Sequence, residues 1–311
     1  MDKKKKKLSP LARFRGFIQA GATLLTNIHL PNFAKGALYQ GGGKYVCVPG
    51  LNCYSCPGAA GACPVGAFQA VVGSSKFRFS YYITGILILF GVLLGRFICG
   101  FLCPFGWFQE LLHKIPSPKL STKKLKPLRY LKYAVLLVMV VLLPLLAVNE
   151  LGMGDPFFCK YLCPQGVLEG AIPLSLANSG IRAALGSLFT WKLGILLVVI
   201  VLSVLFYRPF CKWICPLGAF YALLNKVSLV QMKVDQSKCI SCGKCAKACK
   251  MDVDVTKSPN HTECIRCGMC VRACPTNAVR FRCGFGTGKQ GTVLPEKTNK
   301  QMNDIVKEKK S

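Results

Sequence analysis

Long apolar segments that are nearly free of charge restrict the fold of this chain more than any other feature. Three of them cover residues 81–97, 133–148 and 193–207. With a few flanking residues, each is about long enough to cross a hydrocarbon core of ~30 Å as a helix. A fourth, weaker segment at residues 14–30 is either a short span or an interfacial helix. We therefore predict an α-helical membrane protein with about four transmembrane helices.

The positive charges alternate along the chain in the way that sets membrane topology. The chain carries 41 Lys and Arg against 12 Asp and Glu, a formal net charge of +29. Lys and Arg number seven in residues 1–15, four in 29–79, eight in 96–132, three in 150–192 and 19 in 208–311. Because positive residues concentrate in cytoplasmic loops, we expect a multi-pass protein of a prokaryotic cytoplasmic membrane with both termini cytoplasmic. The charge is then a topology signal, and nucleic acid is not an expected partner.

Two runs of four cysteines follow the spacing C-x2-C-x2-C-x3-C near the end of the chain. In two-cluster bacterial ferredoxins, the fourth cysteine of each run ligates the cluster of the other run. We therefore assign a first [4Fe–4S] cluster, cluster 1, to Cys239, Cys242, Cys245 and Cys274. Cluster 2 is assigned to Cys264, Cys267, Cys270 and Cys249. Zinc sites usually use separate cysteine pairs, and disulfides are rare on a cytoplasmic side, so this spacing disfavours both alternatives.

Four further cysteines precede proline in a shared C-P-x-G pattern that continues with two apolar residues. They are Cys63, Cys103, Cys163 and Cys215. Proline suits the first turn of a helix, so each element is expected to present a thiol and then begin a helix. In the last three elements another cysteine stands four positions earlier, at Cys99, Cys159 and Cys211.

The predicted topology divides these cysteines between the two membrane faces. Four of them follow spans that end in the cytoplasm and supply ligands for an inner membrane-face cluster: Cys99, Cys103, Cys211 and Cys215. Two unrelated structural pairs are the alternative for this inner set. The candidates for an outer cluster are Cys53, Cys56, Cys63, Cys159 and Cys163, with Cys47 close enough to substitute. Outside the membrane these thiols alternatively form disulfides, such as Cys47 with Cys53 or Cys159 with Cys163.

These elements together resemble the membrane polyferredoxins of NapH and NosR type. The resemblance rests on the two cytoplasmic C-x3-C-P elements, the four-span layout and the ferredoxin pair, and it covers roughly residues 80–282. It implies a membrane electron carrier that links a quinol pool or a cytoplasmic reductant to periplasmic redox enzymes or flavoproteins. The cysteines at 47–63 and at 159 and 163 depart from the family pattern.

The chain is thereby divided into four parts. We predict a basic cytoplasmic N-terminus (1–13), a membrane domain with the four Cys-Pro elements (14–230), an α+β two-cluster ferredoxin-like domain (231–282) and a flexible basic tail (283–311). Electrons are expected to pass through several [4Fe–4S] clusters between a cytoplasmic ferredoxin or flavodoxin-like donor and an extracytoplasmic partner such as a flavoprotein. No catalytic residue is predicted.

Two alternatives stay open at this point. One is a quinol-linked carrier confined to the cytoplasmic face, with structural outer cysteines. The other is a redox sensor or assembly factor. His29 and His113 lie near predicted membrane faces, where each either assists a quinone headgroup or a proton path or is simply a polar edge. Helical spans of this length separate the two faces by ~25–30 Å, so a path across the membrane needs Cys-Pro loops that dip inward, or a further centre.

Positive residues surround the two ferredoxin runs. They are Lys238, Lys244, Lys247, Arg266 and Arg272. These residues either dock an acidic electron donor or form a solvated face that follows the positive-inside rule.

Overall fold

The protein is described from a computed structural model, in which residues 10–74, 80–150 and 153–284 have a defined placement. Most of the expected basic N-terminus and of the expected tail lies outside these described residues. Within them, the chain is mostly helical and ends in a two-stranded sheet.

Short helices alternate with longer apolar ones along the chain. The first group is α1 (Pro10–Arg13), α2 (Arg15–Thr26), α3 (Pro31–Lys35), α4 (Pro64–Gly73), α5 (Tyr81–Leu93), α6 (Phe97–Phe101) and α7 (Pro104–Leu112). The second group is α8 (Leu131–Val135), α9 (Leu143–Leu146), α10 (Ile172–Ala177), α11 (Ser179–Ala183), α12 (Ser187–Leu205), α13 (Pro209–Trp213) and α14 (Pro216–Leu224). A 3-10 turn covers Gly42–Tyr45, and single π-helical segments cover Phe158–Leu162 and Gly166–Ala171.

Two helices are long and apolar enough to cross a membrane, judged by length and composition. One is α12, and the other is the helix Lys123–Leu146, which begins as a 3-10 helix over Lys123–Tyr130 with a kink at Leu125 and then contains α8 and α9. A π-helical segment at Leu136–Leu142 widens this second helix just before Pro144, which lacks the N–H that a regular α-helical turn would use. The other two expected spans form the shorter helices α2 and α5, of 12 and 13 residues. The four-span layout therefore stays a prediction.

The Cys-Pro elements begin helices, as their sequence predicts. Cys63, Cys103 and Cys215 stand in extended conformation at the N-caps of α4, α7 and α14, and the following proline occupies the first turn. The element at Cys163 differs, because its helix begins at Gly166 with the π-helical segment. These short helices turn back against the longer ones: α7 packs on α2 and α12, and α14 packs on α5 and α8.

The C-terminal segment forms a separate small core beside this helical region. Strand β1 (Val230–Val234) pairs antiparallel with β2 (Val279–Cys283), with Met232 opposite Phe281. Two short helices, α15 (Lys244–Ala248) and α16 (Met269–Ala273), lie between the strands in sequence and pack on each other. Apolar side chains of the sheet and of these helices bury one another, so the two cysteine runs are held close together.

Candidate iron–sulfur centres

The two ferredoxin runs form two cavities, and each cavity draws thiols from both runs. The first, open to solvent on one side, is lined by four cysteines, Cys239, Cys242, Cys245 and Cys274. The second is lined by Cys249, Cys264, Cys267 and Cys270. The fourth cysteine of each run thus lies at the cavity of the other run. These are the two groups of thiols that the sequence assigns to clusters 1 and 2.

The backbone of the two runs repeats the same tight turns. Ser241 and Arg266 occupy equivalent positions with φ of 52° in both cases, and Gly243 and Gly268 follow with φ of 67° and 76°. Left-handed backbone at a residue other than glycine costs roughly 1 kcal/mol or more, and persists where the surroundings require it. Here it lets three cysteines of each run face one cavity.

The inner set comes together from two elements more than 100 residues apart in sequence. Its four cysteines are all buried: Cys99, Cys103, Cys211 and Cys215. The first cysteine of each pair lies in a five-residue helix, α6 or α13, and the second caps the helix that follows. The thiol of Cys215 interacts electrostatically with the other three. Burial, and to a smaller extent the neighbouring thiols of Cys211 and Cys99, raises the pKa of Cys103 to about 12. Bound metal would supply the positive charge that such thiolates need.

Two fully buried arginines enclose the inner set in a reciprocal manner. Each stands three residues before the first cysteine of its element: Arg96 precedes Cys99, and Arg208 precedes Cys211. Arg208 Nη1 donates to the carbonyl oxygen of Cys99, and Arg96 Nη2 donates to that of Cys211 at 3.4 Å. Each element therefore supplies a cation that contacts the backbone of the other element.

Each of these arginines also has a carboxylate partner. Arg208 Nε lies 2.8 Å from Glu110 Oε1, and Arg96 Nη1 lies 2.8 Å from Glu263 Oε2. Burial alone would raise the pKa of Glu110, but Arg208 and Arg15 outweigh it and hold the pKa at about 2. Arg96 and Lys132 lower the pKa of Glu263 in the same way, to about 2. A net positive charge remains on both sides of the inner set.

Four of the outer candidates also come together, and they form what we term the outer set: Cys53, Cys63, Cys159 and Cys163. The thiol of Cys163 interacts electrostatically with the other three. Two glycines border this set, since a Cβ on Gly66 would lie 3.8 Å from Cys159 Sγ and a Cβ on Gly166 would lie 3.7 Å from Cys53 Sγ, both ordinary van der Waals contacts.

The remaining cysteines have other surroundings. Cys56 is buried with its Sγ 3.3 Å from Asn27 Oδ1, and Cys47 forms an isolated bridge with Ala62 next to Cys63. Cys283 is exposed at the end of β2. All 19 cysteines are free in the structure.

Two buried glutamines contact the cysteine sets, and the sequence analysis does not single them out. Gln69 Nε2 donates to Cys159 Sγ and Gln109 Nε2 donates to Cys211 Sγ, both at 3.1 Å. The signal is present in the sequence, because both residues stand six positions after the cysteine of a Cys-Pro element, in the shared pattern C-P-x-G-x-F-Q. The other two elements have Glu169 and Tyr221 at this position.

Glu169 and Tyr221 hold the loop that lies between the two sets. Glu169 Oε2 accepts from the backbone N–H of Cys53 at 3.0 Å, and the Tyr221 hydroxyl donates to the carbonyl of Pro49 at 2.9 Å. A Cβ on Gly50 would lie only 2.9 Å from Cys103 Cα, so only glycine fits at this approach. Since three residues span at most about 11 Å, the Cα atoms of Cys53 and Cys103 are within roughly 15 Å of each other.

The ferredoxin segment is fixed to the helical region beside the inner set. Glu263 pairs with Lys132 as well as with Arg96, and Asp252 Oδ2 lies 3.1 Å from Lys212 Nζ and 3.4 Å from Arg129 Nη2. The contact is closest at Gly100, where a Cβ would lie 2.3 Å from the carbonyl oxygen of Ile265 and 3.9 Å from the backbone nitrogen of Cys267. The cavity of cluster 2 therefore adjoins the inner set.

The positive residues near the runs divide into two groups. Arg266 is buried and its Nη1 donates to the carbonyl of Leu94 at 2.9 Å, so it is a contact with the helical region and does not face a soluble donor. Lys244 and Lys247 are exposed, and Lys238 is exposed in an ion pair with Asp235. Arg272 is also exposed.

The two histidines named above pack against aromatic rings. His29 stacks on Tyr39 with ring centroids 3.7 Å apart, and His113 meets Tyr207 edge-on at 5.5 Å. Both contacts are compatible with a polar edge of the helical region, and quinone binding at either residue stays a prediction.

The chemistry of the donors fits [4Fe–4S] clusters. The ferredoxin cysteines line two cavities, and the thiols of the inner and outer sets interact electrostatically with one another. Backbone N–H groups donate to sulfur, as from Gly218 to Cys215 Sγ at 3.4 Å and from Ala278 to Cys274 Sγ at 3.2 Å. Among the described residues, no three His, Cys, Asp or Glu side chains are close enough together to hold one metal ion. Four thiols in each group match the four cysteine ligands of a [4Fe–4S] cluster.

Models of two related domain families match the chain, and both are described as 4Fe-4S binding domains. One matches four times, at residues 61–82, 79–123, 133–172 and 188–235, so that each Cys-Pro element falls in its own match. The other matches residues 232–253 and 258–280, the two ferredoxin runs. Together the matches cover more than half of the chain. No solved structure matches.

Curated proteins from several prokaryotes are similar to this chain. An uncharacterised protein of Methanocaldococcus jannaschii is 29% identical over 55% of this chain and 66% of its own length. A putative electron transport protein of Escherichia coli, YccM, is 26% identical over 55% of this chain and 45% of its own length. The ferredoxin-type protein NapH of Haemophilus influenzae is 27% identical over 57% of this chain and 55% of its own length.

These alignments span about half to two thirds of the curated relatives' length. The matched domains repeat along the chain in the order of its cysteine elements. The chain belongs to the NapH-type polyferredoxin family.

Proposed function

We propose that this ferredoxin-type electron-transfer protein carries electrons through four [4Fe–4S] clusters between a cytoplasmic donor and an extracytoplasmic redox partner. The observation that carries the proposal is the succession of four thiol groups, each adjoining the next. The two ferredoxin cavities share their cysteine runs, Gly100 brings the second cavity against the inner set, and the loop at Gly50 joins the inner set to the outer set. When bound, each cluster would take up and release one electron at a time.

The proposed ligands are four cysteines for each cluster. Clusters 1 and 2 take the cysteines that line the two ferredoxin cavities, and the third cluster takes the inner set. For the fourth we propose Cys53, Cys63, Cys159 and Cys163, and neither Cys56 nor Cys47. The repeat supports Cys53. Glu169, six positions after Cys163, accepts from the backbone N–H of Cys53. Gln69, six positions after Cys63, accepts in the same way from the backbone N–H of Phe158, which precedes Cys159.

The short distance between the inner and outer sets supports a path across the membrane. Opposite faces of a spanning helix would be ~25–30 Å apart. The Cα atoms of Cys53 and Cys103 are within roughly 15 Å, because the loop at residues 49–53 lies inside the protein. Electron transfer weakens steeply with distance, so inward loops remove the need for a further centre. Irregular backbone at membrane depth is tolerated where protein covers it, and Leu51 and Asn52 are fully buried.

The membrane location is supported by the surface of the apolar helices. Large apolar side chains stay exposed along them, including Leu89, Leu137, Val138, Leu197 and Val198. A continuous apolar exposure of this kind suits lipid rather than water. Together with the charge alternation, it favours a multi-pass protein whose ferredoxin segment and both termini are cytoplasmic.

The proposed donor is an acidic one-electron carrier, such as a ferredoxin or a flavodoxin-like protein. Cluster 1 would be its entry point, because Cys239 and Cys242 are only half-buried and Lys238, Lys244 and Lys247 are exposed around them. Positive charge there would attract an acidic partner and speed association. A flavoprotein on the other side is the proposed acceptor class.

Iron and acid-labile sulfide analysis tests the proposal. Four cubanes require about sixteen iron and sixteen sulfide per chain, and Cys103→Ser with Cys215→Ser should lower both to about twelve and remove one EPR signal. Cys283→Ser, at an exposed thiol far from these sets, is the matched control. About eight iron in the unmodified protein would rule out both membrane clusters, whereas about twelve would favour the quinol-linked carrier with structural outer cysteines.

Thiol labelling tests the orientation. After cluster removal and reduction, an impermeant reagent added from outside should modify Cys159 and leave Cys211 unmodified. The reverse pattern would overturn the proposed topology.

A further inference from the structure

Gln69 and Gln109 are the side chains whose geometry the proposed function leaves unexplained. Both are fully buried, and both link two elements that are distant in sequence. Gln69 on α4 reaches Cys159, 90 residues later, and Gln109 on α7 reaches Cys211, 102 residues later. Burial of an amide side chain costs folding free energy unless both its oxygen and its NH₂ group are hydrogen-bonded, so two buried glutamines at these positions call for an explanation.

The two amides are held in the same way. Gln69 Oε1 accepts from the backbone N–H of Phe158 at 3.0 Å, and Gln109 Oε1 accepts from that of Phe210 at 3.2 Å. This bond fixes the plane of each amide, and it directs the N–H groups at the sulfur of the next residue. Each Nε2 also lies within 3.4 Å of the carbonyl one turn earlier, at Val65 or Phe105. The amide has little freedom to turn away from the thiol.

The repeat makes coincidence a poor explanation. The two glutamines occupy the same position in two C-P-x-G-x-F-Q elements, and each bonds the first cysteine of the opposite C-x3-C-P element. One contact belongs to the outer set and the other to the inner set. The cysteines that receive the bonds are therefore equivalent in the two sets.

We propose that Gln69 and Gln109 are positioning residues that each donate an N–H···S hydrogen bond to a cluster ligand and so raise the reduction potential of that cluster. This inference rests on the proposed function, since it needs clusters bound at the outer and inner sets. Hydrogen bonds to the sulfurs are among the factors that set iron–sulfur potentials. The bond stabilises the reduced state most, because the reduced cluster carries the larger negative charge.

Paired substitutions test the inference. In Gln109→Met the inner cluster should become harder to reduce, so that its reduced-to-oxidised ratio falls three- to tenfold at a fixed solution potential. A tenfold change corresponds to 59 mV for one electron. Gln69→Met should shift the outer cluster and leave the inner cluster unchanged. Gln231→Met, on β1 in the ferredoxin segment, is the control and should shift neither of them. The measurement is an EPR-monitored redox titration of the full-length protein.

A second measurement detects the bond directly. With ¹⁵N-labelled glutamine side chains, pulsed EPR of the reduced inner cluster should show a nitrogen coupling that Gln109→Met removes and Gln69→Met retains. If Gln109→Met loses iron, Gln109→Glu keeps an acceptor for the Phe210 N–H, so it retains the packing while the coupling to nitrogen disappears.

The results separate the inference from the function on which it rests. Sixteen iron with unchanged potentials and no nitrogen coupling would reject the role of the glutamines and leave the clusters in place. Eight iron in the unmodified protein would instead reject the two membrane clusters themselves.

Discussion

The inner and outer cysteine sets use one backbone design in two different electrostatic settings. All four inner cysteines are buried, whereas Cys53 and Cys159 of the outer set are half-buried. Arg96 and Arg208 enclose the inner set without any exposure to solvent. The corresponding carbonyl of Cys159 receives its bond from Lys192, which is half-buried, at 3.0 Å.

The difference shows how two sites built on the same repeated backbone can have different reduction potentials. Turns, proline and glutamine recur in both sets, so they account for the shape of the site. The pair of fully buried arginines and the degree of solvent exposure do not recur, so they are the features that would separate two reduction potentials. The inner set also touches the ferredoxin segment, and both sets border the loop at residues 49–53. Positive charge raises the potential of a bound cluster and burial lowers it, and we expect the two buried arginines to outweigh burial, so that the inner set has the higher potential.

The largest expected effect concerns the fourth ligand of the outer set. Cys53→Ser should remove about four of sixteen iron atoms, because a cubane needs all four thiolates. Cys56→Ser is the matched control, and it should retain all of them, since the Cys56 thiol contacts Asn27 Oδ1 and is not among the thiols that interact with Cys163. The measurement is iron content of the purified protein. If Cys56→Ser lost iron and Cys53→Ser retained it, the prediction would be wrong and Cys56 would be the fourth ligand in place of Cys53.

Removal of the inner cation should have the next largest effect. Arg208→Met leaves Glu110 buried beside a single remaining arginine, and breaking a buried pair costs about 3 kcal/mol of the free energy of unfolding. It should also lower the potential of the inner cluster. Lys192→Met, at the half-buried counterpart of the outer set, should cost about 1 kcal/mol. Chemical denaturation in detergent compares them, and equal losses would contradict the contrast between the two settings.

A smaller effect is expected at the contact between the inner set and the ferredoxin segment. In Gly100→Ala the new Cβ meets the backbone of Ile265, so the segment must shift, at a cost of about 2 kcal/mol. Magnetic coupling between cluster 2 and the inner cluster should weaken. Gly85→Ala, on α5 where a Cβ meets nothing within 4 Å, should be neutral or stabilise the protein by about 0.5 kcal/mol. Unchanged coupling in Gly100→Ala would show that the contact does not set the cluster spacing.

Local spacing predicts the parts of the site that depend on short stretches of chain. The helix starts after Cys63, Cys103 and Cys215 follow from a few adjacent residues, and three cysteines of each ferredoxin cavity follow from a single run. The fourth cysteine of each cavity comes from the other run, as the two-cluster spacing predicts. The family membership also follows, because its motifs are of the same local kind.

Features that depend on contacts between distant segments do not follow from the spacing. The bond from Gln109 to Cys211 joins residues 102 positions apart, and no local pattern marks its partner. Charge patterning treats Arg266 as one of several surface cations, yet it is buried and bonds the backbone at Leu94. Hydropathy also does not predict the turn that interrupts residues 81–97 after α5. Gly95 forms this turn with φ of 55°, but its neighbours are mostly apolar, so the hydropathy of the segment does not change there.

The loop at residues 49–53 has a consequence for how the protein matures. Pro49 is hydrogen-bonded to Tyr221, Gly50 lies against Cys103, and Cys53 is hydrogen-bonded to Glu169, so this short loop borders both the inner set and the outer set. Binding of a cluster at one set would order the loop and so reduce the entropy cost of binding a cluster at the other set. In the proposed four-cluster arrangement, the inner and outer clusters would therefore be filled, and lost under oxygen, as a pair, while the two ferredoxin clusters would be acquired on their own.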